Sequence, residues 1–275
     1  MNYMEKSQRK LGIIGCGAIG TEIAAAIDKG SIDIALHGCY DISKEQTDKF
    51  SAKLKNVKPV FMELEALVKN CDLILECSKK DAVREIFEVI LKNNRDTIFL
   101  SVGGILESMD LVEEAKKKKI NIYIPSGAVV GIDGLSAAKC QGLKKVTLTT
   151  RKPPLAFKGV KYLVEKNINP EEIKVETVLF EGNAFEAVKA FPANINVAAT
   201  LSIAGIGPEK TVIKIIADPN TTANRHEINA EGDFGSFRAI TENVPSPNNP
   251  KTSYLTALST IALIKKIVEP IHIGT

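Results

Sequence analysis

The chain has 275 residues, enough for two compact domains, and its 36 Lys and Arg against 33 Asp and Glu leave a net charge of only +3. Without clustered Lys/Arg stripes or interleaved aromatics, that balance gives little reason to expect nucleic acid as a partner. The N-terminal segment is short and charged and the first apolar run is only a strand long, which argues against a signal peptide or a membrane span. Five cysteines, an odd number without metal-type spacing, read as buried thiols of a reducing, cytoplasmic compartment, with neither disulfides nor a metal site.

In chain order, Leu11 to Ile14 predicts a buried strand that turns directly into Gly15-Cys16-Gly17-Ala18-Ile19-Gly20. At such a turn the first glycine permits the bend, the second lets the backbone approach a pyrophosphate, and the third lets helix and strand pack closely. Apolar Ile19, Ile23, Ala26 and Ile27 continue at helical spacing, and Gly30 ends the helix. A second strand, Ile34 to Tyr40, closes on Asp41, roughly 20 residues past the last glycine, where a carboxylate can accept hydrogen bonds from an adenosine ribose. A dinucleotide site is therefore expected at Gly15, Gly17, Ala18, Ile19, Gly20 and Asp41. The cofactor is NAD or NADP, with NAD favoured because the carboxylate repels an extra ribose phosphate. Cys16 reads as a small loop filler, although a thiol at a helix N-terminus can also be reactive.

Ser43 and Gln46 form a capping-box pattern for a helix to about Leu54. Strands follow at Val60-Phe61, Asp72 to Cys77, Thr97 to Val102 and Asn121 to Ile124, with helices near Asp81 to Asn93 and Ser108 to Lys119; the lysines at 116 to 119 suit a helix C-terminus. This alternation predicts an α/β fold whose N-terminal Rossmann domain, residues 1–127, is a doubly wound parallel sheet. Residues 128–249 predict a second, α+β domain with a largely antiparallel sheet. Its strands are Lys144 to Thr150, Val175 to Phe180, Thr211 to Ala217, Asn224 to Glu231 and Phe234 to Glu242, with a hairpin at Gly232-Asp233. Helices are expected from Phe157 to Lys166 and, buried, from Asn194 to Ala204. After a loop at Pro245 to Pro250, a final helix within residues 250–275 packs back on the first domain.

Ligands of open α/β sheets bind beyond the carboxyl ends of the strands, which selects the loops Ser78 to Lys80, Val102 to Gly104 and Pro125 to Ala128. Glycine turns of this composition also occur without a ligand. In the segment Asn224 to Glu231, strand alternation puts Asn224, His226, Ile228 and Ala230 on an inward face, and Arg225, Glu227, Asn229 and Glu231 on a charged, solvated one. An imidazole there can exchange protons near neutral pH, although a buried histidine can equally be structural; His37 and His272 read as structural or incidental. Hydrolytic triads, metal clusters and paired carboxylates are not visible.

With the generic glycine loop, Pro125-Ser126-Gly127-Ala128, Thr149-Thr150-Arg151-Lys152-Pro153-Pro154, the run Phe191 to Ala199, and Asn224-Arg225-His226-Glu227-Ile228 before Glu231-Gly232, the chain resembles the L-aspartate dehydrogenases nearly end to end. The resemblance implies NAD(P)-dependent oxidation of L-aspartate to iminoaspartate, and in reverse the reductive amination of oxaloacetate with ammonia, feeding NAD biosynthesis. It implies that His226 is the catalytic histidine, that Ala128 and Asn196 contact the dinucleotide with Ser78 nearby, and that Asn224 lies beside the substrate. Candidate carboxylate anchors are Arg151, Lys152 and the backbone at Ser126 to Ala128, although the two cations also fit as surface charges flanking a strand. A homodimer is expected from the resemblance and from the sheet face that needs covering. Other two-domain dehydrogenases, homoserine dehydrogenase-like or dihydrodipicolinate reductase-like, and a non-catalytic dinucleotide sensor are the alternatives.

Overall fold

The computed structural model describes residues 8–191, 195–247 and 249–274. The charged start of the chain, the Pro192-Ala193-Asn194 stretch at the expected helix start, and Asn248 lie outside the described residues. Two compact units emerge, one running to Pro125 and including Ala257–Ile273, the other spanning Ser126–Thr256.

The first unit begins with β1 (Lys10–Ile14), α1 (Ala18–Asp28), β2 (Ala35–Tyr40), α2 (Lys44–Ala52), β3 (Val60–Phe61) and α3 (Leu64–Asn70). It continues with β4 (Leu73–Glu76), α4 (Val83–Lys92), β5 (Asp96–Phe99), α5 (Val102–Leu106), α6 (Met109–Lys118) and β6 (Ile122–Tyr123). The strands pair in parallel in the order β3-β2-β1-β4-β5-β6, the Rossmann arrangement, so the chain reverses its direction of travel between β1 and β4. β4 is apolar through Leu75 because both its faces are covered. Ser43 caps α2 by accepting the Gln46 N–H at 3.4 Å. Two short helices were not expected. α3 stands where no element was foreseen, and α5 takes up Val102 to Gly104, read from sequence as a strand end and a loop. Gly104 packs so tightly there that a Cβ would lie 2.5 Å from that of Val83.

The second unit comprises α7 (Ile132–Lys139), β7 (Leu143–Lys152), α8 (Lys161–Glu165), β8 (Thr177–Asn183), α9 (Ala184–Ala190), α10 (Ile195–Ala204), β9 (Val212–Ala217), β10 (Asn224–Gly232) and β11 (Gly235–Asn243). Its sheet runs β11-β10-β7-β9-β8, antiparallel except for the parallel pair β7 and β9. Alternation sends Val146, Leu148, Ile213, Ile215, Ile228 and Ala230 to one face, where they share a core with Leu135, Ala187, Ala198 and Leu201 of the helices. The helix expected from Phe157 to Lys166 is instead a 3₁₀ turn, Pro154–Phe157, and the short α8, because Lys158 and Val160 adopt extended backbone. α7 and α9 are additional, the latter capped reciprocally by Asn183 and Glu186. The hairpin turn is Asp233-Phe234, one residue later than expected, since Gly232 pairs with Gly235. The stretch read as a loop holds β12 (Pro245–Ser246) and the start of its partner β13 (Asn249–Ser253), which runs on past Pro250.

The last helix, α11 (Tyr254–Val268), delivers Ile264 into the core of the first unit beside Leu11, Ile23, Phe50 and Leu75. All five cysteines are free thiols; Cys16, Cys39 and Cys71 are buried, but Cys140 is exposed at the end of α7, against the expectation of buried thiols throughout. Among the described residues, no helix is long and apolar enough to cross a membrane, and no group of three His, Cys, Asp or Glu residues is disposed to hold a metal ion.

Candidate functional site

Three glycines shape the β1–α1 turn. Gly15 has φ +101°, and a Cβ on it would lie 2.5 Å from the Cys77 carbonyl oxygen. A Cβ on Gly20 would lie 2.2 Å from the Gly15 carbonyl oxygen, so α1 can pack against the turn only with glycine there. Gly17, by contrast, faces open space, with nothing within 4 Å of its Cβ position. It caps α1 without a side-chain hydrogen bond, and the first turn contains no acidic residue. The N–H groups of Ala18 and Ile19 thus border an open cradle suited to a diphosphate, at the positive end of an 11-residue helix. Cys16 is 2 % exposed, a buried filler of the loop.

Asp41, just after β2, is held by two backbone donors. Its Oδ2 accepts the Cys16 N–H at 2.8 Å and its Oδ1 accepts the Ser43 N–H at 2.8 Å. Each oxygen keeps a further lone pair for a ribose hydroxyl. Ser78 lies after β4 at the same edge of the sheet, and there the structure reveals a residue that sequence reasoning missed. Glu76, the last residue of β4, is 0 % exposed. One of its carboxylate oxygens accepts the Ser78 N–H at 2.8 Å and the Ser78 hydroxyl at 2.7 Å; the other accepts the Ser101 N–H at 3.0 Å.

In the second unit, His226 stands on β10 between two strands, opposite Thr150 of β7 and Thr241 of β11. It is 4 % exposed, and its Nδ1 lies 3.0 Å from Thr150 Oγ1. Burial, reinforced by the positive charge of Lys152, lowers its pKa from 6.5 to about 4. The imidazole is therefore neutral at physiological pH, and the titration near neutrality expected from sequence moves to acid pH.

The two adjacent cations part company because β7 extends to Lys152. Lys152, two residues beyond Thr150 on β7, falls on the face of Thr150 and His226, and burial lowers its pKa. Arg151 projects from the opposite face, where its guanidinium meets Glu176 at 3.4 Å and Glu227 at 3.7 Å. The sheet therefore separates Arg151 from His226, which removes it as a partner of the histidine face. Nor is that outer face simply solvated. Glu227 is buried; burial alone would raise its pKa, but hydrogen bonds from Arg238 and Asn229 and the charges of Arg238 and Arg151 hold it below the ordinary range.

Ala128, buried, and Ser126, partly buried, lie on the segment leading to α7. β11 holds that segment: Asn243 Nδ2 donates to the Ala128 carbonyl at 2.9 Å, and Val130 N–H donates to Thr241 Oγ1 at 3.2 Å. Thr241 and Asn243 are the register partners of His226 and Asn224, so Ala128, Asn224 and His226 are brought together. Asn243 was not anticipated. Asn196 sits exposed in the first turn of α10.

Residues 15–125 match the NAD binding domain of homoserine dehydrogenases, and residues 133–267 match the C-terminal domain of aspartate dehydrogenases. The first unit is thus a nicotinamide-dinucleotide-binding domain. An L-aspartate dehydrogenase of Methanosarcina mazei is 50% identical over 97% of this chain and 99% of its own length. Another from Nitrosopumilus maritimus is 42% identical, covering 97% of this chain and all of its own. The crystal structure of aspartate dehydrogenase from Thermotoga maritima superposes with a TM-score of 0.75 at 28% identity, over 97% of this chain and 99% of that one. Sequence and structure agree along almost the entire length, and the chain belongs to the L-aspartate dehydrogenase family.

Proposed function

We propose that the protein oxidises L-aspartate to iminoaspartate with NAD and, in reverse, reductively aminates oxaloacetate with ammonia. The observation that carries this reading is the neutral, buried His226 with Lys152 on the same sheet face, in a chain of this family. A nicotinamide dinucleotide, when bound, supplies hydride exchange at a substrate carbon. Gly15, Gly17, Ala18, Ile19 and Gly20 would cradle its diphosphate, Asp41 would take the adenosine ribose and Ser78 would lie beside it; Ala128 and Asn196 are dinucleotide contacts on the strength of the family resemblance. Asp41 also favours NAD over NADP.

Aspartate must lose a proton from its amino group as hydride leaves its α-carbon. With Nδ1 occupied by Thr150, His226 Nε2 is the atom left to take that proton, and in the reductive direction to return it. Both roles need the tautomer with its proton on Nδ1, where the Thr150 hydroxyl accepts it and leaves the Nε2 lone pair free for the substrate proton. Lys152 supplies a cation for a substrate carboxylate, while Asn224 and the backbone at Ser126 to Ala128 offer polar groups. We further assign the activity to NAD biosynthesis in the cytoplasm, where free thiols persist, and to a homodimer in which a second copy covers the outer face of the β11-β10-β7-β9-β8 sheet.

The test follows NADH absorbance with L-aspartate, and with oxaloacetate plus ammonia, against a panel of other amino and keto acids. Turnover confined to aspartate and oxaloacetate supports the reading; cofactor binding without turnover on any substrate makes the protein a sensor. His226→Ala is expected to retain NAD binding and lose roughly 10²- to 10⁴-fold in turnover.

A further inference from the structure

We propose that Glu76 is a positioning residue that fixes the loops after β4 and β5 for the nicotinamide half of the dinucleotide. The inference rests on reading the carboxyl edge of the parallel sheet as the cofactor site. A dinucleotide on this fold crosses at the point where strand order reverses, here between β1 and β4. Asp41 lies on the β2 side of that point, so the adenosine half belongs there and the nicotinamide half falls toward β4 and β5.

That second side is organised by one carboxylate. A buried carboxylate is costly unless donors surround it, and Glu76 at 0 % exposure is surrounded from two loops at once. Ser78 presents both its N–H and its hydroxyl, at 2.8 and 2.7 Å, and Ser101 presents its N–H at 3.0 Å. The Ser101 hydroxyl then closes the ring by donating to the Ser78 carbonyl at 3.2 Å. The neighbouring Cys77 thiol reaches the carbonyls of Ile14 and Gly15 at 3.3 and 3.1 Å, which ties the same loop to the glycine turn. Apolar contact could pack such a strand end equally well. What the carboxylate adds is a shared acceptor that sets the separation of two loops. An amide of the same shape cannot replace it: glutamine has one acceptor and one donor, and in either orientation its NH₂ confronts a backbone N–H.

The experiment titrates wild type, Glu76→Gln and Ser101→Ala with NADH and, separately, with ADP-ribose, which lacks the nicotinamide. Thermal melts of each protein run alongside. Glu76→Gln is expected to weaken NADH roughly 10-fold or more, the scale of a lost hydrogen bond to a charged group, while ADP-ribose binds as in wild type. Ser101→Ala, which removes only the tie to the Ser78 carbonyl, should weaken NADH by a smaller factor and spare ADP-ribose. Unchanged NADH binding in both variants overturns the proposal, as does equal weakening of both ligands, which marks a general structural role. If Glu76→Gln does not fold, Ser101→Ala decides by the same criteria. Failure of the wild type to bind either ligand overturns the site assignment instead.

Discussion

His226 and Thr150 face each other across adjacent antiparallel strands, with Nδ1 and Oγ1 3.0 Å apart. A hydroxyl that accepts from Nδ1–H orients the imidazole without favouring a second proton on the ring, as a carboxylate would. Thr150→Val keeps the shape but leaves Nδ1 unpaired in a buried site, at about 1–3 kcal/mol. Turnover on aspartate should fall roughly 10-fold or more with NADH affinity unchanged, and Thr150→Ser should restore most of it. Equal kinetics for the valine and serine variants would show the bond to be idle.

With the His226 pKa at about 4, kcat/KM for aspartate should show no limb from this group at neutral pH and should decline only as pH approaches 4. Lys152→Met removes a charge that helps to hold that pKa down. The acid limb should therefore move to higher pH, and the KM for aspartate should rise with the loss of a carboxylate partner. Pre-steady-state pH profiles of the two proteins check both shifts.

The same pKa carries a stability consequence. The folded value lies below the unfolded one, so the unfolded chain binds the proton more readily. The histidine's contribution is then fully present above about pH 6.5 and is lost as pH falls toward 4, on the order of 3 kcal/mol in total. Urea unfolding between pH 7 and 4 should be less pH-dependent in His226→Ala than in wild type.

Asp41→Ala should shift preference toward NADP, since it removes a carboxylate that repels a ribose phosphate. It also strands the Cys16 and Ser43 N–H groups, so NAD binding should weaken as well. Binding titrations with both cofactors settle this: identical NAD-to-NADP affinity ratios in mutant and wild type would take Asp41 out of the site.

Gly17→Ala and Gly20→Ala should behave as opposites. At Gly20 the added carbon meets backbone at 2.2 Å, so the melting temperature should drop by several degrees or the protein should fail to fold. At Gly17 the carbon enters open space, so stability should hold while NADH binding weakens. Melts with and without NADH distinguish the two.

The Rossmann unit was legible because its signals are local: a glycine turn after an apolar strand, an acid at the end of the next, and strands alternating with helices. α3 and α5 were not, since helices of seven and five residues contain too few turns to show a period. His226 could be placed inward by alternation alone. Arg151 and Lys152 could not be told apart, because the strand was ended at Thr150; carried two residues further, the same alternation assigns them to opposite faces. Glu76 reads as the polar end of an apolar strand, and carboxylates there usually reach solvent. Its partner Ser101 lies 25 residues away, and only the folded sheet unites them.

β10 is hydrogen-bonded on both sides, to β7 and to β11, along nearly its whole length. A histidine carried on a loop can be lost by local fraying, whereas His226 can leave its place only if three strands separate. The amide protons around it should exchange with deuterium at the slowest rates of their unit. On heating, histidine geometry and tertiary structure should fail in a single step, so that residual activity tracks the fraction folded.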